Sequence, residues 1–207
     1  MKVLMINGSP HNHGTTRRAL DELAGTLHAA DIQSDIMTIG QKRLPGCIAC
    51  GKCDGRCRAF DDDVKVALEK LEHADALVLA SPVYFASPNG TLLCFLDRMF
   101  SAGHDAAFLG KPAACVAVAR RAGTTASLDV LAKYPAIRAM PLVTSTYWAM
   151  VHGSDAAQAE QDEEGMEVMR NLGLNLTWLL QCIALGKENG KTAPVPAAPG
   201  HRTDFIR

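Results

Sequence analysis

Ala76-Leu77-Val78-Leu79-Ala80 is apolar at every position, so a strand formed there must be covered on both faces. A second such run spans Ala113 to Ala119, and a third, Lys2 to Ile6, leads directly into a glycine-containing loop. Between these runs, apolar residues recur at helical spacing. Ala19, Leu20, Leu23, Ala24 and Leu27 share one face, and Val64, Ala67, Leu68 and Leu71 share another. Gln33 to Ile39 reads as a further strand, and Asp61-Asp62-Asp63 supplies the cap and first-turn charge of a helix. The segments Gly90 to Phe100 and Ser127 to Ala132 read as helix, Met140 to Ser145 as the last strand, and Ala156 to Leu185 as one long terminal helix.

Short buried strands alternating with helices specify an α/β chain with a doubly wound parallel sheet of flavodoxin-like type. Its five strands are expected in the order 2-1-3-4-5, with helices on both faces. In such a sheet the ligand lies beyond the carboxyl ends of the strands, so the loops there carry the chemistry. At 207 residues the chain suits one such domain, expected over 1–191, with a Cys-rich insertion at 45–60 and an extended tail at 192–207. A formal charge of −1 without a basic run excludes a nucleic-acid footprint. No apolar stretch approaches transmembrane length, and the expectation is a cytoplasmic protein with no membrane partner.

Asn7-Gly8-Ser9-Pro10-His11-Asn12-His13-Gly14-Thr15-Thr16 joins the first strand to the first helix and aims main-chain N–H and hydroxyl groups at a helix N-terminus. That is an anion site. A dinucleotide fingerprint would need three glycines, and only Gly8 and Gly14 occur. A P-loop would need a lysine before its hydroxyl residue, yet Thr15 follows Gly14 directly. A loop without Lys or Arg suits the terminal phosphate of flavin mononucleotide (FMN), with Ser9, Thr15 and Thr16 as its ligands. Gly46 to Cys53 imitates P-loop spacing but lacks the final Ser/Thr and follows no strand. After the most apolar strand, Ser81-Pro82-Val83-Tyr84-Phe85 combines prolines, aromatics and main-chain donors in what reads as an extended loop able to lie against an isoalloxazine ring.

Cys47, Cys50, Cys53 and Cys57 have the spacing C-x2-C-x2-C-x3-C, the bacterial ferredoxin run with Arg58 where proline would stand. The short last gap does not readily bring a fourth cysteine to the same cluster. Three readings stay open: a [4Fe–4S] cluster, zinc on four thiolates, or thiols without metal. Cys94, Cys115 and Cys182 are scattered and read as small core residues.

These segments, in this order, resemble the NADPH-dependent FMN reductase family and its iron–sulfur flavoprotein branch. The resemblance rests on Gly8-Ser9-Pro10 with Gly14-Thr15-Thr16, and on Ser81 to Phe85 followed by Phe95-Leu96-Asp97-Arg98. It continues through Arg121-Ala122-Gly123, Tyr147-Trp148 with Met150 to Gly153, Gln161 to Gly165, and Thr203 to Arg207. It implies that Ser9 and Thr16 bind phosphate, that Pro82, Val83, Tyr84 and Phe85 border the flavin, and that the loop from Ala119 to Thr124, with Arg121 and Gly123, lies near its ring. It further implies NAD(P)H or a ferredoxin-type protein as donor, a small molecule or redox protein as acceptor, and a homodimer or higher homo-oligomer. The segment Tyr147 to Gly153 would then cover its own or a neighbour's site. Chemistry at flavin N5 requires no catalytic side chain. The alternative is a flavodoxin-like carrier relaying electrons between FMN and a cluster. In the iron–sulfur flavoproteins the gap before the last cysteine is longer than here.

Overall fold

The computed structural model describes residues 1–194. Strand β1 (Lys2–Asn7) lies inside the sheet, paired in parallel with β2 (Gln33–Thr38) on one side and with the central strand β3 (Ala76–Tyr84) on the other. Beyond β3 follow β5 (Ala113–Ala119) and the edge strand β6 (Met150–His152), giving the order β2-β1-β3-β5-β6. The two-residue β4 (Ser87–Pro88) pairs antiparallel with the end of β3 and lies off this path. Ranked without it, the parallel strands run 2-1-3-4-5, the expected flavodoxin-like topology.

Alternation along the strands sorts the core into two layers. Val3, Met5, Val78 and Val116 face α1 (Thr15–His28) and α7 (Glu163–Glu188). Leu4, Ile6, Leu77 and Leu79 face α2 (Asp63–Glu72) and α3 (Gly90–Ala102). The short α4 (Asp105–Phe108) adds Ala107 and Phe108 to the second layer, and α5 (Thr124–Ile137) adds Leu131. Among the described residues no helix is long and apolar enough to cross a membrane.

Three elements differ from the sequence reading. The last strand is not Met140 to Ser145. Pairing there is limited to Pro141 O and Val143 N with Ala113, and Pro141 has no N–H with which to extend the ladder back toward Lys111. The chain then leaves the sheet and is held against α7, where Asn175 Nδ2 donates to Thr144 O at 2.7 Å and Ser145 Oγ to Val168 O at 2.7 Å. It returns as β6, whose Met150 to His152 pair with Ala117 to Ala119.

The terminal helix, read as continuous from Ala156 to Leu185, is two helices: α6 (Ala156–Gln161) and α7, divided at Asp162. Asp162 leaves helical geometry, with ψ at 76°, and its carboxylate accepts from Gly165 N at 3.0 Å to cap α7. A local side-chain bond here outcompetes helix continuation.

The segment after β3 is a hairpin rather than an extended loop. Val83 pairs with Pro88 and Tyr84 with Ser87, and the two turn residues Phe85 and Ala86 both have positive φ, 52° and 58°. That is the mirror-image turn matching strand twist, normally built from Asn-Gly. The tail expected at 192–207 falls outside the described residues from position 195 onward, as does the segment Thr203 to Arg207.

Candidate functional site

The carboxyl ends of β1, β3 and β5 open into a cleft of about 690 Å³. Ser9, Thr15, Thr16, Pro82 and Val83 line it, together with His11, His13, Gln41, Arg120 and the Gly153 to Asp155 loop. Ser9 is fixed from within its own loop. Its N–H donates to Asn7 Oδ1 at 3.0 Å, and its hydroxyl accepts from His11 N at 3.1 Å. Gly40 backs this turn so closely that an added Cβ would stand 2.2 Å from the Ser9 carbonyl carbon. The site therefore depends on a glycine remote in sequence.

Helix α1 begins at Gly14 without a side-chain cap and has no acidic residue in its first turn. Its leading N–H groups consequently face the cleft with the positive end of the helix dipole behind them. The nearby arginines are engaged elsewhere: Arg17 with Asp21, and Arg18 with Glu22 and Glu160. These contacts leave Arg120 as the arginine that lines the cleft.

Tyr84 and Phe85 project on the hairpin at the cleft's edge and do not line it; Phe85 is wholly exposed. Arg121 is exposed beside Arg120 and also stands outside the lining. Gly123 supports the hairpin from below. With φ at 95°, it lies where a Cβ would be 2.7 Å from Val83 Cγ1 and 2.8 Å from Ala86 Cα. Tyr147 and Trp148 pack edge to face, with centroids 4.8 Å apart, on the exposed excursion between β5 and β6. Only the end of that segment, Gly153, reaches the cleft.

The sequence reading missed Gln41, Ser154 and Asp155, whereas Arg120 falls in the Ala119 to Thr124 loop and Gly153 ends the segment from Tyr147, both expected beside the site. Gln41 follows the second strand at its carboxyl end, a topological signal that was available. The approach of Gly153 to Thr15 was not readable, since 138 positions separate them.

A second pocket, of about 430 Å³, is lined by Cys47, Cys50, Cys53 and Cys57 together with Phe60, Arg98 and Ser101. The short final gap does not keep Cys57 away. Left-handed residues at Ala49, Gly51 and Gly55 curl the segment so that all four cysteines border one space. Among the described residues, no three His, Cys, Asp or Glu side chains converge closely enough to hold a single metal ion. The thiols surround a volume rather than a point.

Burial pushes the Cys53 thiol up, and the neighbouring cysteines Cys57, Cys50 and Cys47 add to the shift. Cys57 goes the other way: burial raises it, but hydrogen bonds from Arg98 and from the Ala59 and Phe60 amides outweigh burial and hold it below the ordinary thiol range. Cys115 lies elsewhere in the molecule, and burial pushes it up to about 12, so it stays a neutral thiol.

Residues 1–155, covering the phosphate-type loop, the hairpin and the loop at Gly153, match the NADPH-dependent FMN reductase family. The chain belongs to that family. It is thus a flavoprotein by family. An iron–sulfur flavoprotein of Methanocaldococcus jannaschii is 29% identical over 192 residues, covering 88% of this chain and 99% of the relative. An iron–sulfur flavoprotein of Methanosarcina thermophila is 24% identical, covering 91% and 100%. Among solved structures, RosB with bound 8-demethyl-8-formylriboflavin-5'-phosphate superposes with a TM-score of 0.73 at 14% identity, covering 100% of this chain and 94% of that one. An NADH:FMN oxidoreductase in apo form gives 0.61 at 22% identity, covering 86% and 88%. At these identities the structural likeness establishes the fold.

Proposed function

We propose that this protein is an FMN-dependent oxidoreductase that takes electrons from NAD(P)H or a ferredoxin-type donor and passes them to a small acceptor. The observation that carries the reading is the uncapped start of α1, opening with Ser9 and Thr16 into a cleft at the carboxyl ends of the central strands. The donor set fits a phosphate monoester: N–H groups, hydroxyls and a helix dipole, with the adjacent arginines already neutralised. Bound FMN would supply the redox chemistry.

The chain's own residues bind and orient. The phosphate end is taken by residues 9–16, and the ring is bordered by Pro82 and Val83 on one side and by Val118 to Arg120 on another. The 85–86 turn, strained in two non-glycine residues, keeps Tyr84 and Phe85 at the open edge where a second substrate would arrive. Arg120 supplies a cation at the cleft wall for the phosphates of a pyridine nucleotide.

Anaerobic mixing of FMN-loaded protein with NADPH and with NADH tests this reading. Loss of the flavin's visible absorbance on the timescale of turnover is expected. A flavin that stays yellow with both nucleotides, yet bleaches with a reduced ferredoxin, would move the donor to a protein. A colourless protein that takes up no FMN would overturn the reading.

The cysteine pocket favours a second role, an electron relay between FMN and a [4Fe–4S] cluster. Four thiols around one pocket, with the Cys57 thiol held below its ordinary range by Arg98 against the push of burial, form the donor set such a cluster needs. The relatives named iron–sulfur flavoproteins support this. Iron and acid-labile sulfide in anaerobically purified protein are the expected result; their absence would remove the relay.

A further inference from the structure

Arg98 lies in the interior at 1% exposure, although it carries a full charge. Removing a guanidinium from water is costly unless each of its donors is met. Here all of them are. Nη1 donates to Asp62 Oδ2 at 2.7 Å and to Pro45 O at 3.4 Å, Nη2 to Asp62 Oδ1 at 2.9 Å and to Cys57 Sγ at 3.3 Å, and Nε to Cys57 Sγ at 3.4 Å. The guanidinium also lies 4.6 Å from the Phe60 ring centroid. Asp62 is held in turn as the cap of α2, accepting from Val64 N at 3.2 Å.

Charge neutralisation requires only Asp62. The two N–H groups aimed at one sulfur are surplus to it, and that sulfur borders the cysteine pocket. Cys57 is half-buried, whereas Cys47, Cys50 and Cys53 are exposed. The pocket therefore has one fixed corner and three on a surface loop.

We propose that Arg98 is the positioning residue of the cysteine pocket, seating the Cys57 sulfur before any metal arrives and raising the reduction potential of a cluster bound there. The second half rests on the cluster reading above. Hydrogen bonds to a ligating sulfur and a nearby cation favour the more reduced, more negative state of a cluster. Lysine cannot reproduce the effect, because one ammonium lacks the planar fork that reaches Asp62 and Cys57 together.

The test compares wild type with Arg98→Lys and Arg98→Gln, using retained FMN to report an intact fold. In metal-free protein, amide exchange at Ala59 and Phe60 is expected to accelerate about 10-fold or more in both variants, as for a lost hydrogen bond to a charged group. In metal-loaded protein, the cluster midpoint from an EPR-monitored redox titration should move to more negative values, further in Arg98→Gln than in Arg98→Lys. A merely structural arginine would leave that midpoint unmoved in any variant that binds full iron. Phe60→Leu, which keeps both charges, should shift it the same way by less, and it serves if the Arg98 variants do not fold. Wild-type exchange together with a wild-type midpoint would overturn the proposal. Wild-type protein without iron or sulfide would overturn the cluster reading and the potential with it, and the exchange rates alone then decide the seating of Cys57.

Discussion

Thr15 Oγ1 donates to the carbonyl of Gly153 at 3.2 Å, joining the first turn of α1 to the loop that follows the edge strand. One hydroxyl thus links the end of the phosphate-type loop to the far wall of the cleft. Thr16, its neighbour, is buried, at 2% exposure, and lines the same cleft. If phosphate is held here, Thr16→Val should weaken FMN binding about 10- to 100-fold, the value of a hydrogen bond to a charged group. Thr15→Val should cost less, about 3- to 10-fold, because it loosens the wall rather than removing a ligand. Titration by quenching of flavin fluorescence checks both; equal affinities in all three proteins would argue against the phosphate assignment.

Gly40 should prove essential to the same loop without touching the ligand. A Cβ there would lie 2.3 Å from Ser9 O and 2.4 Å from Pro10 N, so Gly40→Ala must displace backbone. The expected result is a loss of about 1–3 kcal/mol in stability, with FMN affinity falling out of proportion to it. Thermal unfolding of the flavin-free protein, set beside the FMN titration, separates the two effects.

The hairpin after β3 offers a trade between stability and function. Phe85 and Ala86 occupy left-handed geometry that costs each about 1 kcal/mol, and Asn-Gly would occupy it readily. The double substitution Phe85→Asn with Ala86→Gly should raise stability by about 0.5–1 kcal/mol and lower turnover with NAD(P)H. Denaturant midpoints and steady-state rates read the two changes. Unchanged turnover would show that the exposed Phe85 has no part in meeting the second substrate.

Acid stability should depend on Asp35. The Lys70 ammonium at 2.7 Å holds its carboxyl below the usual range, against the upward push of burial. Folding therefore favours the ionised form. The stabilisation is complete above the ordinary carboxylate range near pH ~4 and is lost as pH falls through the lowered folded value. Lys70→Met should cost about 0.5–1 kcal/mol near neutrality, since the pair is partly exposed, and the gap to wild type should close as pH falls through the lowered folded value of Asp35. Urea unfolding at a series of pH values measures that closure.

Local chemistry by itself determined the alternation of strand and helix, the two-sided burial of Ala76 to Ala80, and the loop of glycines and hydroxyl residues that leads into α1. Each follows from periodicity or from a residue's own donors, which act over a few positions. The same locality explains where the sequence misled. Met140 to Ser145 has strand composition, but Pro141 and the pull of Asn175 and Ser145 toward α7 move the edge pairing to Met150. Asp162 interrupts a helix that periodicity would have continued, because its carboxylate caps the next one.

Tertiary structure alone decided the rest. It made Gln41, Ser154 and Asp155 walls of the cleft, turned Tyr84 and Phe85 outward, and curled Cys47 to Cys57 around one pocket. It also buried Arg98 between Asp62 and Cys57, partners 36 and 41 positions away. Spacing along a chain carries no information about such pairs. They form because a charge enclosed by the packed faces of α2 and α3 must find its acceptors wherever the fold has left them.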